Sequence, residues 1–380
     1  MVFGLPVERP PGGVALHREW VADWAETFCA TNELDALLIS ATEPAELAGL
    51  LIAALRLDRP TVVVPAEGPF SVALAALGLA PVAGNAAGIA VELALGGGPR
   101  PRELVEGFSL ANALRAGLAA GGGPELLVHL AAIAREAGAP GFSQMIRVLA
   151  PESPKIVDRD SAWFETHGVA GLFAHLGDTL HDTRTLTGQL KGGLPISPPP
   201  PEGTGSRLIF IRGRASGTEV VCCTDDGRSE VYGECRLFAS EEHAVRAVEE
   251  GAIETSDLLV VVGFGPRGGP GLLRLDRLGD ALAESRLDVP VLTDGLPPED
   301  ASGVWASLIT PEAAEGGVIG RLRDGDSLRL DLAEGVIRTG VVAEEIRRRE
   351  PFMAPVHSGM GYAARYARSA LPPLEGAGFD

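Results

Sequence analysis

Apolar and polar positions follow helical spacing from Arg18 to Asn32 (REWVADWAETFCATN) and again from Pro44 to Leu57 (PAELAGLLIAALRL). Each of these stretches is followed by a short run without polar interruption, ALLIS at 36–40 and TVVVP at 61–65. Alternation of amphipathic helices with short β-branched runs predicts a parallel sheet covered by helices. A second helical block is expected from Pro101 to Gly138, where LLVHLAAIAREAG ends on a glycine in the C-terminal capping place.

Past residue 206 the pattern changes to short strands, RLIFIRG, EVVCC, DLLVVVG, VPVLTDG and SLRLDL, separated by DDG, GGPG and DGD turns. A few helices are expected among them, EEHAVRAVEEG being one. A β-rich barrel or sandwich is the expected form. Between the two patterns lies KGGLPISPPPPEGTGS, whose four consecutive prolines flanked by glycines describe a stiff, extended connector. The expected division is therefore an N-terminal α/β domain over 1–190, a linker over 191–206 and a C-terminal β domain over 207–380, with no internal repeat at a fixed period.

A length of 380 residues agrees with two cores rather than one. Lys+Arg total 32 against 51 Asp+Glu, a formal net charge of -19 spread along the chain. Such a field repels phosphate backbones and anionic lipid, which argues against nucleic acid and membrane surfaces as partners. The apolar stretches are too short to span a bilayer and the N-terminus has no basic, then apolar, leader pattern, so a soluble cytoplasmic protein is expected. Cys29, Cys222, Cys223 and Cys235 show neither CxxC spacing nor a disulfide framework and read as reduced structural thiols.

Three stretches of the C-terminal domain, read together, resemble a known family. GFGPRGGPGL (263–272), VLTDG (291–295) and TPEAAEGGVIGRLRDGDSLRLDL (310–332) are similar, in order and spacing, to the signatures of the dihydroxy-acid and phosphogluconate dehydratases. GYAARYARSALPPLEGAGF (361–379) resembles that family's ending, and in the first domain LLISATEPAELAGLLIAALRLDRPTVVV and GGGPELLVHLAAIAREAG resemble two further family stretches. The resemblance implies an N-terminal α/β/α domain with a parallel sheet, a C-terminal swivelling β-barrel-like domain, a homodimer, and an active site in the cleft between domains.

The same resemblance shows departures. The family's dehydration depends on an iron–sulfur cluster held by three separated cysteines and on a magnesium ion held by carboxylates and a modified lysine. Where the family has Asn-Cys-Asp-Lys, this chain has Ala41, Thr42, Glu43 and Pro44. The family's Cys-Gly-x-Cys segment has no counterpart after Val64-Pro65-Ala66-Glu67, and the N-terminal portion with the remaining cysteine is expected to be lacking. Arg274 stands at the place of a magnesium-binding glutamate, and Leu296-Pro297-Pro298-Glu299 replaces the Arg-Phe-Ser-Gly run whose serine is the family's base. A cluster rebuilt from Cys29, Cys222, Cys223 and Cys235 matches no known ligand spacing. The expectation is thus a shortened, divergent member without metal or other cofactor.

The remaining candidates are polar groups. Glu43 falls where the family has a metal-binding aspartate, and in an apolar cleft its pKa would rise to suit a general acid or base; it equally reads as a glutamate favouring a helix N-terminus. His129 is a catalytic candidate or a hydrogen-bonded core histidine. Asp294 and Glu299 flank the turn that holds the family's base, and carboxylates there can take over proton transfer, although an aspartate in a TDG turn also serves backbone hydrogen bonds. For substrate binding the candidates are His167, beside Glu165, and Ser302, together with Arg267, Gly268 and Gly269 in a glycine-rich loop whose amides and guanidinium suit a carboxylate-bearing ligand. Two functions are expected: a metal-independent small-molecule enzyme of specialised metabolism with lyase, isomerase or cyclase chemistry, or a non-catalytic partner or metabolite-binding subunit.

Overall fold

Helix α1 (Val14–Ala30) begins four residues earlier than its apolar spacing suggests, and the chain then runs through strand β1 (Leu37–Ile39), α2 (Pro44–Leu57) and β2 (Thr61–Val63). The computed structural model describes all residues except 1–3, 5–10, 33, 83, 158–160, 197–198, 201–206, 214–216, 225–226 and 353–360. Much of the expected proline-rich linker and two residues of the DDG turn therefore lie outside the described residues. The rest divides into two compact units, one of residues 17–200 with 374–376 and one of residues 11–16, 207–373 and 377–380.

In the first unit β1 and β2 pair in parallel, Leu38 opposite Val62, as the alternation of helix and strand requires. Helices α3 (Pro69–Ala76), α4 (Ala86–Gly96), α5 (Pro101–Leu104), α6 (Gly107–Ala119), α7 (Pro124–Glu136), α8 (Phe142–Leu149) and α9 (Ala162–Leu176) follow, then a small hairpin of β3 (Arg184–Thr185) and β4 (Gly188–Gln189). The single block expected over 101–138 is three helices, because the extended Val105 and Glu106, the latter capping α6 with Ser109, and the glycines at 121–123 interrupt it. Helix α3 packs on α6 and α2 on α7. Leu51, Leu55, Leu74, Leu114, Leu127 and Leu130 are fully buried in this core.

The second unit is a closed eight-stranded barrel built from β5 (Arg207–Gly213), β6 (Glu219–Thr224), β7 (Glu230–Phe238), β8 (Asp257–Val261), β9 (Val291–Thr293), β10 (Trp305–Thr310), β11 (Ser327–Asp331) and β12 (Val336–Thr339). The order around it is β10-β6-β5-β12-β11-β7-β8-β9, and closure leaves no exposed sheet edge. Inward side chains such as Cys222, Cys235, Val260, Ala306 and Leu330 pack the interior. Outside, α10 (Glu241–Glu249) and α11 (Asp276–Ser285) cover β8 and β9 through Val245, Val248, Leu278 and Leu282. Two short helices, α12 (Ala343–Arg348) and α13 (Tyr362–Ser369), complete the described chain.

Candidate functional site

Strands β7, β8, β9 and β10 run parallel, so the segments leaving β8, β9 and β10 emerge at one end of the barrel. After β8 comes the glycine-rich loop, after β9 comes Asp294, and after β10 comes Glu312. The register shift in β10 between Ser307 and Thr310 and the positive φ of Leu308 (52°) turn the chain there. Leu272, at the close of the glycine loop, also has a positive φ of 70°. Non-glycine residues in this conformation are strained and cluster at functional sites.

Asp294 is fully buried, and its carboxylate accepts hydrogen bonds from the amides of Phe264 (2.8 Å), Gly263 (3.2 Å) and Ala313 (2.9 Å). Burial pushes its pKa up, and those amides pull it back. Glu312, 4% exposed, accepts from the amides of Arg267 (2.9 Å) and Gly268 (2.9 Å). Loss of water raises its pKa to about 7 against the pull of those two amides, and the charges of Asp294 and Glu315 push in the same upward direction. The close approach needs glycine: a Cβ at Gly265 would lie 2.4 Å from Glu312 Oε2.

The structure thus brings Asp294, Arg267, Gly268 and Gly269 into one place, and adds Glu312, which sequence reasoning did not single out. One expectation is corrected. The amides of Arg267 and Gly268 are not presented to an external anion, because Glu312 already occupies them, and the Gly269 amide donates to the carbonyl of Gly265 at 3.0 Å. The Arg267 guanidinium is likewise engaged, with Glu315 at 3.3 Å and the Ala370 carbonyl at 3.2 Å.

Glu299 and Ser302 sit elsewhere on the same unit, exposed beside a groove lined also by Asp276, Arg286 and Trp305. Arg274 lies 3.3 Å from Asp276 and 3.9 Å from Glu299, so the cation at this position is neutralised by its own neighbours. The Ser302 carbonyl accepts from the Trp305 indole at 3.1 Å, which fixes that loop.

The other three candidates belong to the first unit. Glu43 is exposed at the N-cap of α2, the helix N-terminal place of its second reading rather than an apolar setting, and its side chain makes no capping bond. His129 is fully buried in α7 between Arg18 Nη1 (3.3 Å from Nδ1) and Glu125 Oε1 (3.1 Å from Nε2). Arginine can only donate, so Nδ1 must accept and Nε2 carries the proton towards Glu125. Its surroundings are those of a hydrogen-bonded histidine in the core. His167 is half-buried in α9, in contact with the Trp163 ring, and Glu165 beside it on the same helix is exposed.

The donor set does not suit a cluster or a metal ion. Cys222 and Cys223 are neighbours on β6 and point to opposite faces, the former into the barrel core. Burial, with Asp326 and Asp324 nearby, pushes the Cys235 thiol up to about 12, and burial raises Cys29 as well, whereas cluster ligation needs thiolates. Among the described residues no group of three or more His, Cys, Asp or Glu is placed to hold a metal ion.

Residues 210–377 match the family model described as dihydroxy-acid/6-phosphogluconate dehydratase C-terminal. A dihydroxy-acid dehydratase of Trichlorobacter lovleyi is 32% identical over 306 residues, 73% of this chain and 55% of that protein. One from Geobacter metallireducens is 31% identical over 314 residues, 74% of this chain and 55% of the relative. One from Clostridium botulinum (strain Eklund 17B) is 29% identical over 321 residues, 77% and 58% respectively. The chain spans a little over half the length of these relatives. No helix among the described residues is long and apolar enough to cross a membrane.

Proposed function

The chain belongs, through its C-terminal barrel, to the dihydroxy-acid/6-phosphogluconate dehydratase family, and from that premise we propose that it is a small-molecule enzyme doing acid–base chemistry without a metal. The reaction class is lyase, isomerase or cyclase, and the substrate a hydroxylated carboxylic acid, in keeping with the names its relatives carry. Specialised metabolism, a homodimeric state and a cytoplasmic location are part of the same reading.

The observation that carries it is Glu312. A carboxyl group whose pKa sits at about 7 is equally able to take and to give a proton at neutral pH. Asp294 beside it supports that elevation, and the strained residues Leu272 and Leu308 hold the surrounding turns. A proton-transfer group of this kind offers a route to eliminate or rearrange without the Lewis acid that the family's cluster supplies.

A second reading, a non-catalytic partner or metabolite-binding subunit, is favoured by one feature: both carboxylates have their oxygens occupied by backbone amides. One experiment separates the two. The purified chain is incubated with dihydroxy acids and phosphorylated sugar acids, with and without chelator, and product is followed by mass spectrometry. Turnover that survives chelation and is lost in Glu312→Gln supports the enzyme. Turnover indifferent to that substitution removes Glu312 from the chemistry; turnover that appears only after iron loading removes the metal-free mechanism. No turnover, with a second protein co-purifying, supports the partner subunit.

A further inference from the structure

The barrel interior is packed along most of its length, yet at the end where β9 and β10 terminate a cavity of about 490 Å3 remains. Its wall is made by Val220 of β6, Leu292 of β9, Ile309 of β10, Leu328 of β11 and Ile337 of β12, and Ile346 of α12 closes one side. That size falls within the range of small-molecule sites, and the mouth of a β-barrel is a common place for one. Eight strands enclose a space that side chains can fill completely or that can hold one small ligand. Here the inward residues at this end are too short to fill it.

Its polar groups define the chemistry that fits. Arg338 lines the wall, but Asp331 (3.3 Å) and Glu334 (3.0 Å) hold its guanidinium, and Glu344 holds Arg347 at 2.8 Å. An ionised ligand would have to displace these carboxylates or lie against them. The Thr339 hydroxyl accepts from the Val341 amide at 3.1 Å, and among the described residues its own proton has no acceptor. A hydroxyl keeps one donor after accepting a bond. We propose that this cavity is a binding site for an uncharged, hydrocarbon-rich small molecule bearing a carbonyl or ether oxygen, with the Thr339 hydroxyl donating to that oxygen. The site is independent of the acid–base reading, because it binds whether or not Glu312 moves a proton.

The test uses 6-propionyl-2-(dimethylamino)naphthalene, an uncharged fluorophore carrying a ketone, titrated into the full chain. Saturable blue-shifted emission at one probe per chain is expected. Ala343→Trp, which fills the cavity from α12, should abolish it while the far-ultraviolet circular dichroism is retained, and Thr339→Val should weaken it by about tenfold. Should Ala343→Trp fail to fold, competition on the unmodified chain decides. There 2-undecanone should displace the probe at least about tenfold better than undecanoate, the charged analogue of similar length. Absence of saturable binding, emission unchanged in a folded Ala343→Trp variant, or equal displacement by the acid would each overturn the proposal.

Discussion

The Ala313 amide donates to Asp294 Oδ2 at 2.9 Å, and this bond ties the residue directly after Glu312 to the strand end that carries the other buried carboxylate. Asp294 holds the glycine loop at Gly263 and Phe264, Glu312 holds it at Arg267 and Gly268, and the two acids are joined through Ala313. The loop is shaped by carboxylates from outside it together with its own glycines, which let Glu312 approach.

Asp294→Asn should therefore destabilise the barrel unit. The substitution sets an amide NH2 against backbone donors in a fully buried site, and each unsatisfied buried group costs about 1–3 kcal/mol. With its oxygen turned to Gly263 and Ala313, the asparagine leaves the Phe264 amide facing its NH2, so a loss of about 1–3 kcal/mol in urea unfolding is expected. A change within experimental error would show that these amides find other partners.

Glu312 makes stability depend on pH in a definite direction. Its folded pKa of about 7 lies above the ordinary 4.5, so the fold holds the proton more tightly than the unfolded chain does. The associated stability is present below the ordinary value and is lost as pH rises through about 7. Between pH 5 and 8 the unmodified chain should lose roughly 2–3 kcal/mol more than Glu312→Gln, read from urea midpoints. Asp294 shifts in the same direction. Asp331 and Glu344, held low chiefly by the Glu334 amide and by the Arg347 guanidinium respectively, complete their titration below this window. Parallel profiles for the two proteins would count against the elevated pKa.

The parts of this arrangement that sequence revealed are those that repeat locally. Strands β6, β8 and β9 read clearly because buried β-branched runs leave an uninterrupted apolar pattern. Strand β7 was hidden because one of its inward positions is Gly233, which interrupts the apolar half of the alternation between the outward Tyr232 and Glu234, and β12 because all four of its residues are half-buried and show no alternation. Asp294 was visible as the acid of a TDG turn. Glu312 was not, since what changes its chemistry is a loop about 45 residues upstream in sequence. His129 shows the same limit: its helix was evident, but the arginine that fixes its tautomer is 111 residues away.

That arginine carries the next prediction. Arg18 is fully buried, paired with Glu19 at 2.8 Å, and donates also to His129 and to the Gly376 carbonyl. Arg18→Leu leaves Glu19 as a buried charge whose nearest remaining cation is Arg56 at 3.9 Å. A loss of about 3–5 kcal/mol is expected, with much of it recovered in Arg18→Leu/Glu19→Leu, because removing both charges removes the uncompensated one. Equal losses in the single and double variants would show that packing, not charge, sets the cost.

Arg274 offers a test of how far the barrel has moved from metal binding. In the present chain the guanidinium lies between Asp276 and Glu299, and these contacts are satisfied without any ion. Adding magnesium or chelator should accordingly leave the melting temperature unchanged. In Arg274→Glu three carboxylates converge with no cation among them, a hard oxygen set that repels itself unless a divalent ion enters. The variant should melt lower than the parent in chelator and regain stability as magnesium or manganese is added, by an amount that grows with the logarithm of ion concentration once the site is saturated. The neighbouring acids would then be shown to be adequate ligands held in check by one arginine. A variant that melts lower but ignores the ion would instead mean that Asp276 and Glu299 are too far apart, on separate segments, to share a coordination sphere.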